Sequence, residues 1–243
     1  EGAAVDIQEM NYDDCVRLAA KEADETPRGV MVQDTAWDGY EEIPSWIMQG
    51  YGTMAMEAGE QLKEYGCERP THIFVQAGVG SLAGAVVGYF SNLYADNPPA
   101  FVVVEAEAAA CLYKGAAAGD GQIRIVDGDM ETIMAGLACG EPNTISWDIL
   151  KNHVKVFIAA PDWVAANGMR MLGAPIKGDA PVTSGESGAA PFGALAAIMS
   201  MDEYADLRKD IGLDENSRVL LFSTEGDTDP DRYKNIVWKG LDK

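Results

Sequence analysis

Gln76-Ala77-Gly78-Val79-Gly80-Ser81-Leu82-Ala83-Gly84 is the stretch whose reading decides the fold. The apolar run His72–Gln76 enters it as a buried strand, and Leu82–Tyr94 leaves it as a helix. Between them, three glycines permit a sharp turn and let main chain come close to a bound group. The N–H groups that open a helix have no partners within it, and the helix dipole adds partial positive charge there. Strand, glycine loop and helix N-terminus in that order make a seat for an anion such as a phosphate. A tight turn without a ligand is the plainer reading, and Ser81 beside the glycines tips the balance toward phosphate. On this reading a β-branched residue at Gly80 costs ligand affinity much more than stability.

Outward from this loop, short apolar runs alternate with amphipathic stretches. Asn11 is placed to cap a helix from Tyr12 to about Ala23, with Asp13 and Asp14 in the turn where the dipole favours acids. Ile43–Tyr65 reads as a long helix with Pro44 tolerated in its first turn. Strands are expected at Val5–Ile7, Val30–Gln33, Phe101–Glu105, Gln122–Val126, Val156–Ala159 and Arg218–Phe222. Helices are expected around Ala108–Tyr113, from about Glu131, and over Trp163–Leu172 and Ala189–Met201. The pattern is that of an α/β protein whose mostly parallel sheet is flanked by helices. An opening in mid-strand implies sheet partners upstream of Glu1. Gly173–Ser187 is the longest Gly/Pro/Ser-rich loop, a length that often accompanies function.

Composition narrows the partners. Acids outnumber bases 39 to 18, a net charge of −21 that repels nucleic acid and anionic membrane surfaces. No apolar run is long enough to span a bilayer and no secretion signal opens the chain, so a cytoplasmic location is expected. Four cysteines without a CxxC pair and two histidines do not make a zinc site, and no metal is expected. Free thiols are the default, with a Cys111–Cys139 pairing left open.

Two further polar segments lie at element ends: Ser184-Gly185-Glu186-Ser187-Gly188-Ala189 before a helix, and Ser223-Thr224-Glu225-Gly226-Asp227-Thr228-Asp229 after a strand. Open α/β sheets place ligands at the carboxyl ends of their strands, so all three loops should meet in one crevice. A dinucleotide reading, with Glu105 on a ribose, fits less well. The loop spells GxGxxxG rather than GxGxxG, and it stands in mid-chain.

These loops, with Gln33-Asp34-Thr35-Ala36-Trp37 and Met134-Ala135-Gly136-Leu137-Ala138-Cys139-Gly140-Glu141-Pro142, resemble the fold-type II pyridoxal-phosphate enzymes of the tryptophan synthase β family. Within it the chain is most similar to the diaminopropionate ammonia-lyases, over nearly its whole length from about Val5. The resemblance implies pyridoxal 5'-phosphate as cofactor, held through Gly78, Val79, Gly80, Ser81, Leu82 and Gly84. It places Ser223 opposite the pyridine nitrogen and Glu186 at the ring edge, with Thr224 among the cofactor-binding residues. It implies elimination of ammonia from 2,3-diaminopropionate to give pyruvate, in a homodimer. Residues 1–42 would be the remainder of a small domain and residues 43–243 the large cofactor-binding domain.

Asp34, at the end of an expected strand, is the candidate base for the α-proton; as a bare residue it reads equally as a turn former. The family carries its Schiff-base lysine on a segment N-terminal to everything here, and none of the ten lysines in this chain stands in that motif. The chain is therefore expected to be the C-terminal portion of such an enzyme and inactive alone. A non-catalytic phosphate-ligand module of the same fold is the alternative, and a dehydrogenase a more distant one.

Overall fold

The computed structural model describes residues 2–242. Four parallel strands, β1 (His72–Gln76), β2 (Ala100–Ala106), β3 (Val154–Ala160) and β4 (Val219–Leu221), form one sheet in the order β3-β2-β1-β4. Helices cover both faces. Alternate strand residues serve two cores, as the two-residue side-chain period requires. Phe74, Val102 and Val104 pack on α6 (Asp162–Gly173) and α7 (Glu186–Ser200). Ile73, Val75, Phe101 and Val103 face α2 (Glu42–Glu64), α3 (Ser81–Leu93), α4 (Cys111–Ala118) and α5 (Thr144–His153). Helices α1 (Tyr12–Glu25), α8 (Ala205–Ile211) and α9 (Pro230–Val237) complete the chain.

Local chemistry explains the main elements. The Asn11 side chain accepts from the Asp14 N–H at 2.9 Å and starts α1. Asp229 and Pro230 start α9 in the same manner, Asp229 accepting from the Arg232 N–H at 3.0 Å. Helices α6 and α7 touch backbone to backbone. A Cβ at Gly193 would stand 1.9 Å from the Val164 carbonyl oxygen, and one at Gly168 2.4 Å from that of Ala189.

Several expected elements are absent. Val5–Ile7 and Val30–Gln33 are irregular, with Val5, Ile7, Val30 and Val32 all more than two-thirds exposed; apolar alternation without a neighbouring strand does not make a strand. Gln122–Val126 is irregular too, with its Val126 N–H on the Gly140 carbonyl. The helix expected from Glu131 shrinks to one 3₁₀ turn, Ala135–Leu137. Helix α5 was not expected, although Asn143 caps it and Lys151 and His153 close it. Among the described residues no helix is long and apolar enough to cross a membrane.

Glu105 is the buried acid of the sheet, 1% exposed at the end of β2. Its two oxygens accept from Leu112 N–H at 2.8 Å and Tyr113 N–H at 2.7 Å, capping α4 rather than reaching a ligand. Burial pushes its carboxyl from 4.5 up to about 8, outweighing those bonds and the Cys111 thiol, which act downward. Burial raises Asp13 and Glu186 as well. A carboxyl whose folded value lies above its unfolded one binds more protons when folded, so stability is highest below the unfolded value and falls as pH rises. Urea unfolding across pH should therefore show stability declining from about pH 4.5 to about pH 8, with a shallower decline in Glu105→Gln.

Candidate active site

The strand order reverses direction at β1. Chain order runs outward through β2 and β3, and β4 then returns to the other side of β1. Ligands of open α/β sheets sit at such a switch point, beyond the carboxyl ends of the strands. Here a cavity of about 280 Å³ opens, lined by Gln76 to Leu82, by Gly136, Leu137 and Cys139, by Ser187, Thr224 and Glu225, and by Tyr12, Asp34 and Tyr51. An adjoining apolar cavity of about 310 Å³ lies by Trp37, Ile123 and Ile125. It borders Thr35 and Ala36 and receives no part of the glycine loop.

The anion seat takes the expected form. Helix α3 begins at Ser81, and the N–H groups of Gly80, Ser81, Leu82 and Ala83 find no acceptor among the described residues; Gly84 N–H, bonded to the Gly80 carbonyl at 2.7 Å, is the first to be satisfied. Gly78 to Leu82 all line the cavity. Gly84 does not, because it packs on α5: a Cβ there would lie 2.7 Å from that of Ser146. Ser81 is 1% exposed, and its hydroxyl donates to the Asp34 carbonyl at 2.8 Å, leaving its N–H as the group for an anion.

Gly80 corrects one expectation. Its φ is +102°, and a Cβ would stand 2.8 Å from Ser146 Oγ and 3.2 Å from Leu150 Cδ1. Packing and backbone conformation, ahead of ligand approach, demand glycine at this position.

Asp34 lines the same cavity, with its carbonyl on the Ser81 hydroxyl of the glycine loop. Its Oδ2 accepts from Tyr51 Oη at 3.0 Å, and burial, then Asp34 itself, pushes the Tyr51 phenol up to about 12. Burial also raises Tyr12, with Cys139, Asp34 and Asp13 adding to it. The Asp34 segment is held by Asn143, wholly buried, which donates to the Asp34 carbonyl at 2.8 Å and to Ser81 Oγ at 2.9 Å. Trp37 and Tyr40 stack with centroids 4.4 Å apart and close the turn after Asp34.

The loop after β4 sorts the remaining candidates. Side chains alternate along an extended run, so neighbours point to opposite sides. Ser223 turns toward α7 and donates to Ser184 Oγ at 2.9 Å, outside the cavity. Thr224 lines it and accepts from Gln76 Nε2 at 2.7 Å. Glu186 does not line it either, for its carboxylate pairs with Arg232 at 3.2 Å. Glu225 holds the rim in its place: Oε1 accepts from the N–H groups of Ser187 and, at 3.1 Å, Gly188, where α7 begins. Asp229 is a helix cap, and no cluster of metal-ligating side chains occurs among the described residues. All four cysteines are free; Cys111 Sγ donates to the Cys139 carbonyl at 3.7 Å.

Sequence reasoning missed Tyr51, Gln76, Asn143 and Glu225. Asn143, following Pro142 at a helix start, is legible as a cap; the other three carry no local signature.

A strand-end glycine loop with unpartnered N–H groups, facing polar side chains from the neighbouring strand end, is an arrangement able to hold the phosphate of a cofactor. The chain belongs to the family described as pyridoxal-phosphate dependent enzyme, whose model matches residues 1–225. It is 55% identical over 240 residues to diaminopropionate ammonia-lyase of Salmonella typhimurium, covering 98% of this chain and 59% of that protein. Among solved structures, Escherichia coli diaminopropionate ammonia lyase in complex with an aminoacrylate-PLP azomethine reaction intermediate superposes with a TM-score of 0.88 at 46% identity, covering 97% of this chain and 59% of that one. The same enzyme in complex with D-serine gives 0.87 at 45% identity, covering 97% and 58%. The chain thus spans 59% of the length of the relative from Salmonella.

The residues present fit the family's cofactor. The free N–H groups match its phosphate, and Gln76 Oε1, buried without a partner in the cavity wall, marks a polar group that the chain does not supply. Gly80→Val is expected to cost roughly 3 kcal/mol of stability from left-handed backbone and overpacking. Calorimetry without cofactor should show that loss; an unchanged melting temperature with weakened cofactor binding would restore the affinity reading.

Proposed function

We propose that this chain forms the cofactor-holding portion of a diaminopropionate ammonia-lyase, which converts 2,3-diaminopropionate and water into pyruvate and two ammonia. The observation that carries this is the convergence of the Gly78–Leu82 seat, Thr224 and Asp34 on one cavity. The similarity to two ammonia-lyases over nearly the whole chain supports the substrate. The cavity lining agrees with it. Asp34 and Glu225 are acids and no Lys or Arg stands among them, which suits a substrate bearing two amino groups.

Roles follow from position. The N–H groups of Gly80 to Ala83 and the α3 dipole hold the phosphate, without help from a side-chain cation. Thr224, which lines the cavity where Ser223 does not, would be the hydroxyl available to the pyridine nitrogen. Asp34, held by Tyr51 on its side chain and by Asn143 on its carbonyl, takes the α-proton. The cofactor, when bound, supplies the electron sink for that carbanion. A homodimer and a cytoplasmic location complete the proposal, the latter supported by four unpaired thiols.

One observation favours a narrower reading for the chain alone. The nine lysines among the described residues are all exposed, and none lines the cavity. Schiff-base chemistry needs an amine desolvated enough to be partly neutral. Borohydride reduction after adding pyridoxal phosphate, followed by peptide mapping, is expected to give no single modified lysine; one stoichiometric adduct with pyruvate release would overturn this.

In the active enzyme, Asp34→Asn should lower turnover of one enantiomer of diaminopropionate by about 10²-fold or more, leaving the absorption of the bound cofactor intact. Equal loss for both enantiomers would show a structural role, and no loss would remove Asp34 from the mechanism.

A further inference from the structure

Asp34 is held at both polar groups of its main chain. Its N–H donates to Gln33 Oε1 at 2.6 Å, and its carbonyl accepts from Ser81 Oγ and Asn143 Nδ2, each at 2.8 Å. Rotation of the side chain remains, and the terminal torsion of an aspartate has a broad profile that selects no single orientation. One contact selects it. Tyr51 Oη donates to Oδ2 at 3.0 Å, and Oδ1 has no partner among the described residues. Tyr51 projects from α2, a helix anchored by buried Met48 and Ala55, and its ring lines the same cavity.

We infer that Tyr51 is the positioning residue of the base: by holding Asp34 Oδ2, it leaves Oδ1 as the oxygen that takes the α-proton of the substrate. The inference rests on the reading of Asp34 as base given above. The Cα–H bond of the substrate breaks, the proton lands on Oδ1, the electron pair stays with carbon, and Tyr51 keeps its own proton.

The surroundings supply no other anchor. Tyr12 of α1, Cys139 beyond the 3₁₀ turn and Glu225 beyond β4 line the cavity with Asp34 and Tyr51. Burial raises both phenols and pushes the Cys139 thiol up to about 12, so all three groups stay neutral. Glu225 is turned to the α7 N–H groups, and as an acid it repels Asp34. Among the described residues only Tyr51 donates to the Asp34 carboxylate. A phenol gives that carboxylate direction without a counter-charge. The bond also favours the ionised form, so its loss lets the acid keep its proton to higher pH.

The first readout needs neither cofactor nor turnover. The chain is labelled with ¹³C at its aspartate carboxyls, and the Asp34 resonance is assigned by its disappearance in Asp34→Asn. Tyr51→Phe removes one oxygen and leaves the ring in place. Its titration midpoint for Asp34 should rise by about one pH unit, the worth of one hydrogen bond to a charged group. A 3-fluorotyrosine at position 51, a stronger donor of nearly the same shape, should lower that midpoint. It also serves where Tyr51→Phe does not fold.

The second readout uses the active enzyme. Tyr51→Phe should lower kcat about tenfold for the enantiomer of diaminopropionate that Asp34→Asn affects, and leave the other within about twofold. The acid limb of the pH profile for that enantiomer should move up with the resonance. Added to Asp34→Asn, Tyr51→Phe should cost nothing further, since the base it positions is gone. An unmoved midpoint in folded Tyr51→Phe would overturn the inference. So would equal loss for both enantiomers in that variant, or a loss that adds in full to that of Asp34→Asn. Asp34→Asn that costs neither enantiomer, or both alike, would remove the base reading and this inference with it, even where the midpoint moves.

Discussion

Asn143 is the group on which the site's geometry depends. It has no exposed surface, and its hydrogen bonds tie three separate segments together: the Val79 carbonyl and Ser81 hydroxyl of the glycine loop, the Asp34 carbonyl, and the Ser146 N–H that opens α5. A neutral clamp is what this site requires. An acid and a row of unpartnered N–H groups share one cavity, so Coulomb forces push Asp34 away from any anion bound there. A salt bridge holding Asp34 would neutralise the carboxylate as a base. Hydrogen bonds to its main-chain carbonyl fix the segment's position regardless of charge and leave the carboxylate with Tyr51 as its one partner among the described residues. Each is worth only about 1 kcal/mol net, but leaving any of these buried groups unpaired costs more.

The sheet supplies the other half of the constraint. Because β4 returns beside β1, Gln76 and Phe222, at the ends of those strands and 146 residues apart in sequence, finish next to each other. The anion seat follows one and Thr224 the other, and Gln76 ties them together across the gap through Phe222 and Thr224. Helix α7 then brings its own N-terminus to the rim, where Glu225 already satisfies Ser187 and Gly188. Two helix N-termini thus meet the cavity in different states. That of α3 is open to an anion, and that of α7 is filled by a carboxylate of the chain itself. Only one place remains where a phosphate is welcome.

What the sequence made legible follows the reach of each physical signal. The strand, glycine loop and helix of residues 72–94 form contiguously, and their reading needed nothing distant. The Asn11 cap was legible for the same reason. Val30–Gln33 and Gln122–Val126 looked like strands because β propensity reflects a neighbour to pair with, which a sequence does not display. Ser223 and Thr224 differ by one position in an extended run, and a one-residue slip exchanges which of them lines the cavity. Composition gives no help there, since both carry hydroxyls. Gln76 and Tyr51 were illegible because their roles are defined wholly by partners 148 and 17 positions away.

The two most distinctive segments of the chain owe their character to one another. Gln33–Trp37 and Met134–Pro142 lie about a hundred residues apart in sequence and meet through the two residues that follow the second, with the Thr144 N–H on the Ala36 carbonyl at 3.2 Å and Asn143 on that of Asp34. Helix α1 locks the second of them, as Asp13 accepts from Gly140 N–H at 2.8 Å and Glu141 N–H at 3.3 Å. Gly140 has no room to vary, since a Cβ there would lie 2.0 Å from the Val126 carbonyl oxygen. Gly136, Leu137 and Cys139 from this segment and Asp34 from the other then line the cavity together. Neither segment can shift without moving its partner and the α3 seat that Asn143 joins to both. A motif that looks like a catalytic signature is here a packing requirement first, and its chemistry follows from where that packing leaves Asp34.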